Sequence, residues 1–203
     1  KLLTNAKAVI SPSNFLAKMI IKEFKNLEIK IINHGIDQQH IKQNQKVYNR
    51  NSKLVFGYAG SLIHHKGVDI LLKAFNQISN DNTKLEIYGS GLKMYEDILK
   101  KIVSCNNQVS FHGKYSNEQL GDIMENVDVL ITPSIWYENY PLVLHEALAS
   151  GVPVIATDLG GMAEKIFTGF NGFTFQVGNI DELYKKIKMI VVDPTILNEL
   201  KKN

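Results

Sequence analysis

The sequence predicts an α/β fold built on a doubly wound parallel sheet, Rossmann-like in the way strands alternate with helices. From residue 54 onward, short apolar runs alternate with longer segments in which apolar residues recur at helical spacing. The apolar runs are almost continuous, which is typical of parallel strands buried on both faces. Glycine and serine follow most of these runs, where a chain leaving a strand must turn. We therefore expect a sheet that is covered by helices on both faces.

The first 52 residues predict a smaller unit and a connection. Residues 8–11 and 29–33 are candidate strands, and residues 14–24 predict an amphipathic helix between them. The expected inner face of this helix consists of Phe15, Met19, Ile20 and Phe24. Residues 38–52 are poor in apolar residues and rich in glutamine and asparagine, so they predict a linker or a surface excursion. The predicted organisation is a first unit over 1–37, a linker over 38–52 and a main domain over 53–203.

The main domain contains a regular series of predicted elements. The strands are expected at residues 54–59, 85–88, 109–111, 127–132, 152–157 and 172–175. The helices are expected at residues 68–78, 94–103, 117–124, 162–167, 181–191 and 195–202. One further helix is expected to begin at Pro141, which needs no N–H at a first helical position, and to end before Gly151. Ser116 is the expected cap of the helix over 117–124.

Composition excludes several classes of protein. The chain has 203 residues, of which 44% are hydrophobic and 21% charged, so it can bury a substantial core. Net charge is +3 and Arg50 is the only arginine, which does not fit a nucleic-acid surface. Cys105 is the only cysteine, and no run approaches the ~20 apolar residues of a membrane span. We expect a cytoplasmic setting and, since the sequence opens without a methionine, a fragment of a longer protein.

The unit from residue 127 to residue 158 contains the pair of acids that is most informative about function. Glu138 lies in the loop after a predicted strand, and Glu146 lies eight positions later, in the second turn of the helix that begins at Pro141. Helical side chains lean towards the N-terminus, so both carboxylates are expected at one mouth. The helix N-terminus there favours phosphate, and the carboxylates favour hydroxyl groups. The predicted ligand is a sugar nucleotide; the alternative is two solvated acids.

Polar and glycine residues follow each of five predicted strands, and the carboxyl ends of parallel strands meet at one edge of a sheet. These residues are Gly60, Ser61 and Lys66; Gly89 to Gly91; Gly113, Lys114 and Tyr115; Glu138 to Pro141; and Asp158 to Gly161. Lys66 supplies a mobile cation that could neutralise a diphosphate, although a solvated lysine ahead of a helix is the alternative. Any α/β connection also uses glycine, so the pattern predicts at which edge of the sheet a site lies but not the chemistry of that site.

Several other sites are disfavoured. The glycine pair at 89 and 91 lacks a third glycine, because Met94 occupies that position, which argues against a flavin or nicotinamide fingerprint. No two aspartates stand two positions apart, and His34, His112 and His145 show no metal-ligand spacing, so no metal is expected. His112 and His145 are interpreted as satisfied core residues. Trp136, Tyr137 and Tyr140 either wall a sugar or base site or serve as interface or core aromatics.

These motifs together resemble the donor-binding, C-terminal half of retaining glycosyltransferases of the GT-B fold, family 4. The residues that carry the resemblance are Gly60-Ser61-Leu62, Lys66-Gly67-Val68-Asp69, Pro133-Ser134, Glu138 with Glu146, and Ala149-Ser150-Gly151-Val152-Pro153-Val154. Ser11-Pro12-Ser13 and Asn33-His34-Gly35-Ile36-Asp37 resemble the end of that family's N-terminal domain and its crossing into the second domain. The resemblance covers nearly the whole chain.

The resemblance implies a role for each site residue. Lys66 would contact the nucleotide diphosphate, Glu146 would hold the ribose hydroxyls, and Glu138, as the catalytic residue, would contact the transferred sugar. Residues 139–142 would offer backbone N–H groups near the sugar and phosphate, and residues 113–115 would line the base. The implied donor-binding set is Gly60, Ser61, Lys66, Gly89, Gly113, Lys114, Tyr115, Asn139, Tyr140, Pro141, Leu142 and Glu146. No cofactor or metal is implied beyond the nucleoside diphosphate sugar, which is the substrate.

The resemblance also implies partners and a limit. A glycan or lipid-linked acceptor would bind the N-terminal domain, of which at most residues 1–37 are present, so the fragment is expected to transfer sugar slowly or not at all. Polysaccharide or glycolipid synthesis at the inner face of a membrane is compatible with the family. Ser61 stands where the family commonly has arginine, so charge neutralisation would depend more on Lys66.

Two alternatives remain open from the sequence. A sugar-nucleotide epimerase shares this two-domain architecture, and it would place solvent deuterium at C2 of the sugar without an acceptor. A non-catalytic nucleotide-binding module would bind the nucleotide but transfer nothing, even as the full-length protein.

Overall fold

The computed structural model describes residues 3–200, which form two parallel sheets with flanking helices. The strands are β1 (Val9–Ser11), β2 (Ile29–Ile31), β3 (Leu54–Ala59), β4 (Thr83–Tyr88), β5 (Val109–Gly113), β6 (Val129–Thr132), β7 (Val154–Thr157) and β8 (Gly172–Phe175). The α-helices are α1 (Asn14–Glu23), α2 (Val68–Phe75), α3 (Lys93–Ile102), α4 (Leu120–Asn126), α5 (Leu142–Ala149), α6 (Gly160–Ala163), α7 (Ile180–Val192) and α8 (Ile196–Leu200). Short 3₁₀ turns cover Leu3–Asn5, Gln38–His40, His64–Lys66 and Asn117–Gln119.

The main sheet has six parallel strands in the order β5-β4-β3-β6-β7-β8, which confirms the predicted doubly wound α/β fold. Successive strands proceed outward in one direction from β3 and in the other from β6. The order therefore reverses between these two central strands, and a crevice opens at their carboxyl ends. This crevice is where a ligand site is expected in such a sheet.

Both faces of the main sheet are covered, as the near-continuous apolar strands predict. Strand β6 shows this most clearly, because Val129 and Ile131 belong to the core on one face and Leu130 to the core on the other. The first core is rich in aromatic rings, including Phe56 and Phe75, whose centroids lie 6.2 Å apart. The central strands are thus fixed on both sides, which makes their carboxyl ends a rigid support for loops.

Two element predictions are corrected by the structure. Met19 and Phe24, expected on the inner face of α1, are 41% and 39% exposed, and Ala17 is the buried residue of this helix. The reason is that α1 contacts α6 and a sheet of only two strands, β1 and β2, so little apolar surface is available to cover it. The helix expected over 162–167 is instead the short α6, which begins two residues earlier, at Gly160.

Residues 42–52, which we call the strap, lie against the main domain rather than hanging free as a linker. Asn44 and Tyr48 are buried. The Asn44 side chain donates to the Val127 carbonyl at 2.7 Å, and its backbone N–H donates to the Ser150 carbonyl at 2.9 Å. The sequence predicted a linker or a surface excursion over residues 38–52, and the Asn44 contacts help explain how so polar a segment is held against the domain.

Within residues 3–200, no helix is long and apolar enough to cross a membrane.

Candidate functional site

A cleft of about 350 Å³ opens at the carboxyl ends of β3 and β6, where the strand order reverses. Many of the predicted site residues line it: Gly60, Ser61, Lys66, Tyr115, Glu138, Tyr140, Pro141 and Leu142. These residues come from three separate loops and from the first turn of α5. The fold therefore brings together side chains that are as far as 82 positions apart in the sequence (142 − 60).

Lys66 and Glu138 form an ion pair inside this cleft. The Lys66 Nζ lies 2.6 Å from Glu138 Oε1, and the two side chains are 30% and 18% exposed. The Ser134 hydroxyl lies 3.1 Å from the same carboxylate oxygen. A charged donor and a hydroxyl thus fix the Glu138 carboxylate at the mouth of the sheet, with its second oxygen left for other partners.

The loop after β3 and the loop after β6 are also joined through their backbones. The His65 carbonyl accepts a hydrogen bond from the Ile135 N–H at 2.9 Å and lies 3.0 Å from the Ser134 hydroxyl. Gly67 has φ of 67°, and a Cβ there would lie 2.1 Å from the Pro133 carbonyl oxygen. Only glycine fits this approach. The close approach of Gly67 to Pro133 therefore fixes the backbone of the neighbouring Lys66 relative to the end of β6.

The backbone of Glu138 is held from the other side by α6. The Gly161 N–H donates to the Glu138 carbonyl at 2.7 Å, and a Cβ at Gly161 would lie 2.1 Å from the carbonyl oxygen of Asn139. Pro141 takes the cap position of α5 without a side-chain cap hydrogen bond, the Leu144 N–H donates to the Pro141 carbonyl at 3.2 Å, and Leu142 and Val143 of the first turn line the cleft. The positive end of α5 and Lys66 together make this mouth attractive to an anion.

Glu146 lines an adjacent cavity of about 210 Å³ rather than the cleft that holds Glu138. Burial raises the pKa of its carboxyl group. Tyr115 is close to both sites: it lines the larger cleft, and its pKa is raised by burial and, secondarily, by the Glu146 carboxylate. The two acids thus line separate cavities, whereas the sequence predicted one shared mouth.

Four other predicted residues lie outside the larger cleft. Gly113 and Lys114 line a third cavity of about 310 Å³ with Tyr115. Gly89 packs against the loop after β3, since a Cβ there would lie 1.7 Å from the Gly60 carbonyl oxygen. Asn139 presents its carbonyl to Gly161, as described above. Gly89 and Asn139 thus take part in close backbone packing beside the cleft, and their donor-binding role stays a prediction.

Tyr140, which was predicted for the donor site, contacts His34, His145 and Lys165 at the side of the cleft, and the sequence did not predict these contacts. The Tyr140 and His145 rings stack with centroids 3.8 Å apart and planes 13° apart. His34 meets the Tyr140 ring edge-on at 5.3 Å, and the Lys165 Nζ lies 5.5 Å from the same ring centroid. His145 is buried as predicted, but its Nε2 has no hydrogen-bond partner among the described residues. Desolvation lowers its pKa to about 4, with Lys165 and His34 adding to the effect.

This histidine predicts a pH dependence of stability. Its pKa falls from 6.5 in an open environment to about 4 in the fold, so the unfolded chain binds the proton more tightly. Stability from this group is complete above pH 6.5 and is lost as pH falls towards 4. We expect a loss of about 2 kcal/mol between pH 7 and pH 4.5. Urea unfolding of the protein and of His145→Leu at both pH values measures it; an equal pH effect in both proteins would contradict it.

The parallel six-stranded sheet, its flanking helices and the cleft at the strand reversal define a Rossmann-like domain of the GT-B glycosyltransferases. The model of the family described as Glycosyl transferases group 1 matches residues 39–203, and the chain belongs to this family.

The similar proteins include both archaeal and cyanobacterial ones. An uncharacterised glycosyltransferase, MJ1178 of Methanocaldococcus jannaschii, is 29% identical over 202 residues, which cover 98% of this chain and 54% of the relative. Sucrose-phosphate synthase of Thermosynechococcus elongatus superposes with a TM-score of 0.85 at 24% identity, over 99% of this chain and 53% of that one. Anabaena Alr3699/HepE, solved in complex with UDP and glucose, gives 0.83 at 23% identity, over 99% and 58%. The chain spans about half the length of the curated relatives it matches.

Proposed function

We propose that the whole protein transfers a sugar from a nucleoside diphosphate sugar to an acceptor, with retention of configuration and without a metal, and that this chain binds the donor. The observation that supports it is the Lys66–Glu138 pair, 2.6 Å apart, at the open N-terminus of α5. A cation and a helix N-terminus suit a diphosphate, while a fixed carboxylate suits hydroxyl groups. The complex of Anabaena Alr3699/HepE with UDP and glucose supports a donor of this class.

In this proposal each residue has a distinct part in the reaction. The diphosphate gains negative charge as its bond to the sugar breaks, and Lys66 with the α5 N–H groups stabilises that charge. Glu146, half-buried beside Tyr115, accepts hydrogen bonds from ribose hydroxyls. A bound diphosphate competes with Glu138 for Lys66, which leaves the carboxylate of Glu138 to accept hydrogen bonds from the sugar.

The remaining features are part of the same proposal. Residues 3–200 contain no group of three or more His, Cys, Asp or Glu side chains that could hold a metal ion. In this proposal, Lys66 and the N-terminus of α5 meet the charge of the diphosphate. Donor transfer unaffected by a chelator would support metal independence. The matched family is one of transferases, which favours transfer over the epimerase alternative. A cytoplasmic setting, a glycan or lipid-linked acceptor, peripheral membrane association and low activity of the isolated chain remain predictions.

Calorimetry with UDP, GDP and ADP, and with the corresponding nucleosides, tests the site. Lys66→Ala is expected to weaken binding of the preferred diphosphate by about 10- to 100-fold and to leave nucleoside binding unchanged, because a charge-assisted contact to phosphate is lost. Glu146→Ala is expected to weaken diphosphate and nucleoside alike, by about 5- to 100-fold, because the ribose contact is common to both.

The matched control is Lys73→Ala, which removes another lysine paired with a carboxylate, Asp69 at 2.9 Å, outside the cleft. Its nucleotide affinity should equal that of the unmodified protein. Unchanged binding in both Lys66→Ala and Glu146→Ala would refute the assignment of the site.

A further inference from the structure

We infer that Phe15 and His34 are positioning residues for the proposed reaction: they hold the loop that carries Glu138 through ring contacts with Tyr137 and Tyr140. The inference rests on the proposed function, because it concerns the carboxylate assigned to the transferred sugar. It adds to that function by making the sugar contact depend on residues of the chain before the strap, which include the separate two-stranded sheet of β1 and β2.

The first contact is on the N-terminal side of Glu138. Phe15, in the first turn of α1, stacks on Tyr137 with centroids 5.2 Å apart and planes 18° apart. Tyr137 immediately precedes Glu138, so the position of its ring and the position of the carboxylate are set by the same short stretch of backbone. Tyr137 is 53% exposed, and the stack with Phe15 therefore restrains its ring without burying it in a core.

The second contact is on the C-terminal side. His34 meets Tyr140 edge-on at 5.3 Å, and the other partner of Tyr140 is the buried His145, stacked at 3.8 Å. Tyr140 also lines the cleft. Glu138 is thus flanked, at the preceding residue and two residues later, by rings that each contact the first unit of the chain.

Polar contacts fix the first unit to the helix that holds the same loop. The Asn14 N–H donates to Glu164 Oε2 at 3.1 Å, and the Lys165 Nζ donates to Asn33 Oδ1 at 3.5 Å. Both partners directly follow α6, whose Gly161 N–H binds the Glu138 carbonyl. The loop is therefore restrained on its backbone by α6 and on its side chains by Phe15 and His34.

The ring contacts of Phe15 and His34 are better explained as positioning the Glu138 carboxylate than as packing that only stabilises the fold. A carboxylate that must meet sugar hydroxyls has to be placed within about 0.5 Å, and loops reach that precision only when neighbouring groups restrain them. Lys66 holds the Glu138 carboxylate in the structure, but a bound diphosphate would draw Lys66 away. The contacts of Phe15 with Tyr137 and of His34 with Tyr140 do not involve Lys66, so loss of the ion pair does not by itself remove them.

The test compares affinity for a nucleoside diphosphate with affinity for its sugar derivative: UDP with UDP-glucose, GDP with GDP-mannose, and ADP with ADP-glucose. Phe15→Leu, Tyr137→Leu and the double variant form a cycle measured by calorimetry, beside thermal unfolding. Each single variant is expected to reduce the affinity gained from the sugar by about three- to tenfold, with bare nucleotide affinity unchanged. The double variant is expected to lose no more than a single one, because the two rings act through one contact. His34→Leu should produce the same selective loss.

Phe24→Leu is the control, since it alters another partly exposed phenylalanine of the first unit, just after α1, whereas the described ring contacts of Tyr137 and Tyr140 are made by Phe15, His34 and His145. It should leave the affinity gained from the sugar unchanged. Three outcomes would each overturn the inference. The losses in the double variant could be additive, or the unfolding temperature could fall without a selective loss of sugar affinity. The unmodified protein could also bind nucleotide and nucleotide sugar with equal affinity. Absence of all nucleotide binding would instead refute the proposed function, and this inference with it.

Discussion

Asp128→Ala is expected to lower the free energy of unfolding by about 3–5 kcal/mol, the largest effect of any substitution considered. Asp128 is fully buried just before β6. One carboxylate oxygen accepts from the Tyr48 hydroxyl at 2.8 Å and from the Lys46 Nζ at 2.9 Å, and the other accepts from the Val55 N–H at 2.7 Å. Alanine would leave a buried hydroxyl and a buried backbone N–H without this acceptor. Urea unfolding followed by circular dichroism measures the loss.

Asp122→Ala is the matched control for this prediction. Asp122 also pairs with a lysine of the strap, Lys42, but its side chain is 62% exposed. Exposed ion pairs contribute little, so the expected loss is within about 1 kcal/mol. Equal stability losses in the two variants would contradict the view that the strap is fixed to the domain by its buried contacts.

Gly89→Ala is expected to destabilise the protein by about 3 kcal/mol or more and to displace the loop that begins at Gly60. The residue has φ of 141°, and the added Cβ would lie 1.7 Å from the Gly60 carbonyl oxygen. That atom belongs to the backbone at the rim of the cleft, so it cannot move without moving the loop that leads to Lys66. Diphosphate affinity should fall together with stability.

Gly113→Ala is the control, because it introduces the strain of a side chain at positive φ without the steric clash that Gly89→Ala also introduces. Gly113 has φ of 75°, but nothing lies within 4 Å of the position its Cβ would take. Its expected cost is only about 1–2 kcal/mol. If Gly89→Ala were no more harmful than Gly113→Ala, as judged by the denaturation midpoint, the close approach to Gly60 would not be what requires glycine.

The sequence predicted the main sheet well because its signals are local. Strands β3 and β8 were expected at residues 54–59 and 172–175, where they are observed, and the alternation of strands and helices was enough to define the fold class. The parallel arrangement then placed the loops after β3 and β6 at one edge. Lys66 and Glu138 could be assigned to one cleft for this reason, although they are 72 positions apart (138 − 66).

The rest depended on contacts that no local pattern encodes. Glu146 was expected at the same mouth as Glu138. In the structure Glu146, in the second turn of α5, lines a separate cavity. Ser134 stood in the sequence only as part of a motif, and its contact with the Glu138 carboxylate required the turn after β6 to be known. The strap has the composition of a linker, and that composition does not predict the contact of the Tyr48 hydroxyl with the buried Asp128, 80 positions later (128 − 48).

The strap also limits where the molecule could bend. Within it, the Asn44 side chain donates to the Val127 carbonyl, and just before it the His40 carbonyl oxygen lies so close to α4 that a Cβ at Gly121 would be 1.9 Å away, so residues 40–44 are closely fitted to the main domain. Ahead of it, His34 rests on the Tyr140 ring. A rotation of residues 3–34 against the sheet would have to be absorbed by residues 35–39, a pivot of five residues whose first member, Gly35, has no atom within 4 Å of the place a Cβ would occupy. Such a rotation would turn on a point next to the loop that holds Glu138, so a small angle at residues 35–39 would displace this loop little and the far end of residues 3–34 more.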